Sequence, residues 1–215
     1  MATPRTPSTE AAEPAIAVPA EPDLGSAAQR ERRKRILDAT LGLASKGGYE
    51  AVQMRTVAER ADVALGTLYR YFPSKIHLLV SGLAREFERA QEKLDRSPLP
   101  GETAYDRMLY VLGRVTRSMQ REPLLTEAMT RAFMFADPSA AAEVNTVAKL
   151  MEDMLTRAMH EGEPTADERA IARVIGDVWL SNLVAWVTRR ASANDVASHL
   201  ELAARLLLRA PGQAD

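Results

Sequence analysis

The stretch VQMRTVAERADVALGTLYRYFPSK, residues 52–75, decides how the chain is read. Its spacing predicts two short helices, 53–60 and 64–71, joined by the turn Ala61-Asp62-Val63. At about 100° per residue, Leu65, Leu68 and Phe72 share one face of the second helix, and Gly66, Thr67 and Arg70 share the other. The first set packs and the second reads, which is the pattern of a helix-turn-helix whose second helix enters a DNA major groove. Gly66 costs about 1 kcal/mol in a helix interior relative to Ala. It either lets the backbone approach DNA closely or shortens the helix with no further role. Thr67, Tyr69, Arg70, Tyr71 and Lys75 surround it with donors suited to phosphate, although the two tyrosines also fit as packing aromatics.

Charge patterning supports this reading. The 215 residues carry a net charge of −1, so nothing global signals a polyanionic partner. By segment, residues 1–25 hold one basic and four acidic residues, 26–75 ten and five, and 76–215 seventeen and twenty, with nets of −3, +5 and −3. A basic module is therefore hidden inside a neutral total. Arg30, Arg32, Arg33, Lys34 and Arg35 crowd the first turns of a helix expected from Ser26 to Lys46, where the macrodipole disfavours cations. A phosphate backbone would relieve that repulsion, and a plain solvated face is the alternative.

The run from Thr56 to Lys75, with Gly-Thr-Leu-Tyr, Tyr-Phe and Ser-Lys, resembles the signature of the TetR family of transcriptional regulators. Asp62 stands where that family often has Gly, and Ala64 where a Ser or Thr commonly caps the recognition helix. The resemblance implies phosphate or groove contacts at Thr56, Thr67, Tyr69, Tyr71 and Lys75, with the Lys75 N–H at a helix N-terminus suited to an anion. Arg32, Arg33 and Gly66 belong to the same expected surface. Arg55 and Arg70 suit base edges, since a guanidinium binds guanine bidentately. One short recognition helix covers few base pairs, so specific binding implies a homodimer on palindromic double-stranded DNA.

The rest of the chain reads as all α. Further helices are expected at 74–96, 103–121, 124–135, 138–161, 165–189 and 192–209, which makes nine; Ser26 caps the first helix and Gly47-Gly48 stops it, and Thr103, Pro123, Asp137-Pro138, Thr165 and Ser192 mark the later starts. Five prolines and six alanines in residues 1–25 suggest a disordered extension, followed by a DNA-binding domain at 26–75 and an effector-binding and dimerisation domain at 76–215. Charges interrupt the apolar stretches every few residues, so no membrane span of roughly 18–20 residues is expected. The absence of cysteine excludes disulfides and suits the cytoplasm. His77, His160 and His199 are too scattered for a metal site, and no nucleophile–base pair or phosphate loop stands out, so neither cofactor nor enzyme activity is expected.

Seven of the nine methionines fall between residues 108 and 159, where adaptable thioethers suit either a plain core or a pocket for a large apolar ligand. Met108, Leu112, Met129, Phe133, Met134, Met151, Trp179, Leu183 and Trp186 are the candidate lining. Asn182 either orients a ligand oxygen or satisfies a neighbouring helix. In the resembled family the last two helices pair with those of a second subunit, which gives Val196, Leu200, Ala203, Leu206 and Leu207 as the candidate interface; packing within the subunit is the alternative. The runs 30–39, 46–55, 123–132 and 177–183 further resemble the branch that represses cholesterol catabolism in actinobacteria. That resemblance implies release from DNA by a sterol-derived coenzyme A thioester. A long-chain acyl thioester or a hydrophobic drug is the alternative effector.

Overall fold

A computed structural model describes residues 27–208. The expected extension at residues 1–25 and the Ser26 cap lie outside the described residues. Nine α-helices are present among them: α1 (Ala27–Ala51), α2 (Met54–Arg60), α3 (Leu65–Tyr71), α4 (Lys75–Leu94), α5 (Ala104–Arg121), α6 (Pro123–Met134), α7 (Ala141–Met159), α8 (Ala166–Val187) and α9 (Ala193–Leu208). The expected diglycine stop is real. Gly47 and Gly48 leave helical geometry inside α1, and Gly48, at φ +66° and ψ −161°, adopts a conformation that L side chains rarely reach. The backbone there turns Tyr49 and Glu50 toward α6.

Side-chain caps fix the other starts. Thr103 with Asp106 and Thr165 with Glu168 form reciprocal capping boxes. Ser192 and Asp195 exchange the same pair of bonds at the head of α9. The expected start of α7 at 138 is instead a 3₁₀ turn, Pro138–Ala140, in which Asp137 accepts from the Ser139 N–H and hydroxyl. Proline at the first position favours such a tight turn, and α7 proper begins three residues later.

One contiguous core runs from Ile36 to Ala204. Helix α1 packs on α6 and α4, α2 and α3 pack against each other beside α1, and α9 lies on α5 and α8. Arg85 of α4 ties the two halves by donating to the Lys34 carbonyl and pairing with Asp38 of α1. One sequence expectation fails. Helix α8 holds an 18-residue window of mean hydropathy 1.4 and is long and apolar enough to cross a membrane by composition. Its charges gather at the N-terminal end, leaving only Arg173 and Asp177 beyond residue 170. In the fold, Ala172, Ile175, Trp179 and Leu183 bury one side of it in the core.

Candidate functional site

The helix-turn-helix assembles as its spacing demands. Leu68 and Phe72 are buried with Val57, Ala58 and Ala61, while Gly66, Tyr69 and Arg70 are exposed and Thr67 is half-buried. A Cβ built on Gly66 meets nothing within 4 Å, so no packing inside the chain requires a glycine there. Asp62 sits in the left-handed region at φ 53°, a conformation that glycine reaches without cost and aspartate tolerates better than most residues. Ala64 heads α3 without a side-chain cap, as its residue type requires. Arg55 is exposed and Thr56 half-buried at the start of α2.

Several of the basic residues expected to face DNA make contacts inside the module. Arg32 Nη1 lies 3.5 Å from the Tyr71 hydroxyl, the Arg33 guanidinium 5.5 Å from the Phe72 ring centre, and that of Arg70 5.9 Å from Tyr71. These contacts aim long side chains of α1 at the surface carried by α3. The Lys75 side chain packs inside the chain. Its Nζ lies 3.8 Å from the centre of the Tyr49 ring and 4.0 Å from Glu50, not free beside the recognition helix. Arg131 of α6 lies 4.2 Å from the same ring and 3.1 Å from Glu50. Burial pushes the Lys75 ammonium below its usual pKa; Arg131 adds to the fall, and Glu50 and Glu127 oppose it. The Lys75 side chain is therefore a junction element between α1, α4 and α6. Charge counting missed this because the partner ring stands 26 residues earlier.

A second junction contact is His77, buried on α4. Its Nδ1 is 2.9 Å from the Ser74 hydroxyl and its Nε2 is 3.1 Å from the carbonyl of Ser139 in the 3₁₀ turn. A carbonyl only accepts, so Nε2 carries a proton and donates to Ser139, while Nδ1 shares a hydrogen bond with the Ser74 hydroxyl.

In the body, two crevices, the inner of them apolar, meet at Leu83, Phe87 and Met119. The outer one, about 70 Å³, lies between α4, α5 and α6 and includes Met129, Leu125 and Thr126. Polar groups mark its rim: Glu86 accepts from Arg89 at 2.8 Å, and Glu122 accepts from the Ser45 hydroxyl at 2.6 Å. The inner one, about 40 Å³, reaches Thr130, Phe133, Val147, Met151, Trp179, Leu180 and Leu183. Of the candidate lining residues, Met129, Phe133, Met151, Trp179 and Leu183 are brought together here. The others are not. Met134 is 51% exposed at the end of α6, Leu112 lines a separate groove between α5 and α9, and Met108 and Trp186 border neither crevice. Asn182 donates to the Val178 carbonyl at 2.8 Å and lies 2.7 Å from His199 Nδ1, so its amide serves the α8–α9 contact rather than a ligand. Sequence reasoning missed Leu83 and Phe87, because an apolar stripe on α4 reads equally well as core. A wider cavity, about 840 Å³, is an open groove at the far end of the body, and charged side chains such as Arg107, Asp153, Arg157 and Glu161 line it.

On α9, Val196 and Leu200 are buried against the same chain, which corrects their assignment to a subunit interface. Ala203 and Leu207 are half-buried. Leu206 is 72% exposed, and Leu202 and Val174 of α8 add exposed apolar surface.

Residues 36–81 match the model described as bacterial regulatory proteins, tetR family, and residues 101–207 match that of the tetracyclin repressor-like C-terminal domain. The chain belongs to the TetR family. This TetR-family protein is 69% identical over 193 residues to the HTH-type transcriptional repressor KstR of Mycolicibacterium smegmatis, covering 90% of this chain and 95% of that protein. Identity to the KstR of Mycobacterium tuberculosis is 67%, covering 90% and 88%. A TetR transcriptional regulator from Rhodococcus sp. RHA1 superposes with a TM-score of 0.79 at 32% identity, covering 84% of this chain and 97% of that one. Thermus thermophilus FadR, solved in complex with lauroyl-CoA, shares the fold with a TM-score of 0.65 at 21% identity, covering 85% and 100%. The TetR-family chain is thus a DNA-binding transcriptional repressor, a regulator rather than an enzyme.

Proposed function

We propose that this TetR-family repressor acts in the cytoplasm as a homodimer on a palindromic operator of sterol and lipid catabolism genes. A hydrophobic effector, a sterol-derived coenzyme A thioester, releases it. The observation that carries the reading is the 69% identity to a KstR repressor across 90% of the chain, which includes the effector body as well as the DNA motif. The working division is an extension at 1–25, a DNA-binding domain at 26–75 and an effector and dimerisation domain at 76–215.

In this reading, Arg32, Arg33, Thr56, Gly66, Thr67, Tyr69 and Tyr71 meet phosphates or groove walls together with the backbone N–H of Lys75, and Arg55 and Arg70 read bases. Leu206, Leu202 and Val174 form the apolar surface on which a second copy packs. Small-molecule sites span roughly 300–1,000 Å³, so a sterol enters only as the thioether chains of Met119 and Met151 and the rings beside them move apart. Helix α4 carries Leu83 and Phe87 in the crevices and His77 at the DNA end. A ligand that favours the opened body therefore favours a different setting of α4 and a different spacing of the two recognition helices.

Fluorescence anisotropy on a labelled fragment of the protein's own upstream DNA, titrated with a sterol-acid coenzyme A thioester and a fatty acyl-CoA, tests the proposal. Release by the sterol compound alone is the expected result. Release by the acyl compound alone transfers the reading to an acyl-CoA-responsive repressor, the second reading favoured by the shared fold with a FadR solved with lauroyl-CoA. Specific binding that neither compound relieves removes the sterol assignment.

A further inference from the structure

Trp179 lies at the inner end of the crevices, 1% exposed, and its indole Nε1–H is buried without a hydrogen-bond partner. Buried donors are almost always paired, so an orphan one beside a cavity calls for an explanation. The ring is held firmly: Phe87 of α4 meets it edge to face at 5.7 Å and 86°. The rest of the inner lining is nearly all carbon and sulfur, with Thr130 its one hydroxyl. A Cβ on Gly176 would come within 2.7 Å of the Met151 methyl, so the absence of a side chain there is what lets the Met151 tip lie over α8, one turn before Trp179.

From this arrangement we infer that Trp179 is the specificity-determining residue of the effector site, donating its indole N–H to an acceptor oxygen at the buried end of a rigid apolar ligand. The inference rests on the effector reading above and deepens it. A site built to hydrogen-bond a ligand oxygen rejects the analogue that lacks it, because the protein group then stays unpaired. A plain acyl chain ends in a methyl group and leaves the indole as it stands. A sterol acid carries its ring oxygen at the end opposite its thioester, so the thioester stays at the polar rim near Glu86 and Glu122 and the ring oxygen reaches Trp179.

The test compares two coenzyme A thioesters of steroid acids, identical except for the ring oxygen, in anisotropy release assays with the wild-type protein and the Trp179→Phe variant. Wild type is expected to release DNA at roughly tenfold lower concentration of the oxygenated compound. In Trp179→Phe that preference falls to about twofold or less, through weaker response to the oxygenated compound and an unchanged response to the other. Unchanged operator affinity without effector shows that the variant is folded. A second readout uses Trp186→Phe, in which Trp179 is the only indole. Its emission shifts to longer wavelength with the oxygenated compound and not with the other. Equal release of the wild type by both compounds, or an equal loss for both in Trp179→Phe, overturns the role of Trp179 and leaves the sterol reading standing. Release by neither compound removes the sterol reading and this inference with it.

Discussion

Replacing His77 with leucine isolates the bridge between the DNA end of α4 and the turn ahead of α7. Leucine roughly conserves volume, so the core around this 5% exposed position keeps its packing while both ring hydrogen bonds disappear. Each bond is worth about 0.5–1.5 kcal/mol net. The Ser139 residue is exposed, so its carbonyl regains water and adds no further penalty. The expected loss is roughly 1–2 kcal/mol, which for a chain of this size lowers Tm by about 2–8 °C. Thermal unfolding followed by circular dichroism measures it. The same variant is expected to bind the operator normally yet to need more effector for half-release, since the body and α4 have lost a shared bond. An unchanged Tm together with an unchanged effector midpoint refutes the argument that this histidine joins the two halves.

Arg70→Ala and Arg55→Ala are expected to weaken operator binding by about 1–3 kcal/mol each and to relax preference at single base pairs, read by anisotropy on mutated operators. Lys75→Ala, by contrast, should lower Tm through loss of the Tyr49 and Glu50 contacts and leave the salt dependence of DNA binding nearly intact; a slope reduced by about one full charge would place its ammonium on phosphate. For the proposed homodimer, Leu206→Glu is expected to give monomers in analytical ultracentrifugation, whereas Val196→Ala should reduce stability by roughly 1–2 kcal/mol and leave that assembly intact. Asp137, Glu168 and Asp195 are held below the usual carboxylate range. The Ser139 hydroxyl and N–H hold Asp137, and the N–H and hydroxyl of Thr165 and of Ser192 hold Glu168 and Asp195. A depressed carboxylate stabilises the fold above its unfolded pKa and withdraws that support as pH falls through the folded value, so Asp137→Asn/Glu168→Gln/Asp195→Asn should flatten the loss of stability below about pH 4 in urea titrations.

Local signals were the most legible in the sequence. Diglycine, prolines and threonine caps placed nearly every helix end, because each acts within one turn of its own position. The packed and open faces of α3 followed from helical period alone. Periodicity shows that a face is apolar without saying which neighbour covers it. For that reason Val196 and Leu200 were assigned to a partner when α5 and α8 cover them, and Leu83 and Phe87 were passed over as core. The packing of the Lys75 side chain and the role of Asn182 are illegible for a related reason: their partners, Tyr49 and His199, become neighbours only through tertiary folding.

If the two crevices take the effector as proposed, their narrowness sets how the repressor weighs concentration against size. With only about 70 and 40 Å³ available, any occupant must first find the body opened. If the opened form is a fraction f of the population, every apparent dissociation constant is the intrinsic one divided by f. That factor is the same for all compounds, but only a large rigid ligand buries enough carbon to overcome it. Short fatty acids and solvent-sized apolar molecules meet the same threshold with too little contact area to cross it. On the proposed reading the chain filters by bulk before any polar group is consulted, and substitutions that enlarge the cavity, such as Met151→Ala, are expected to trade that filter for sensitivity.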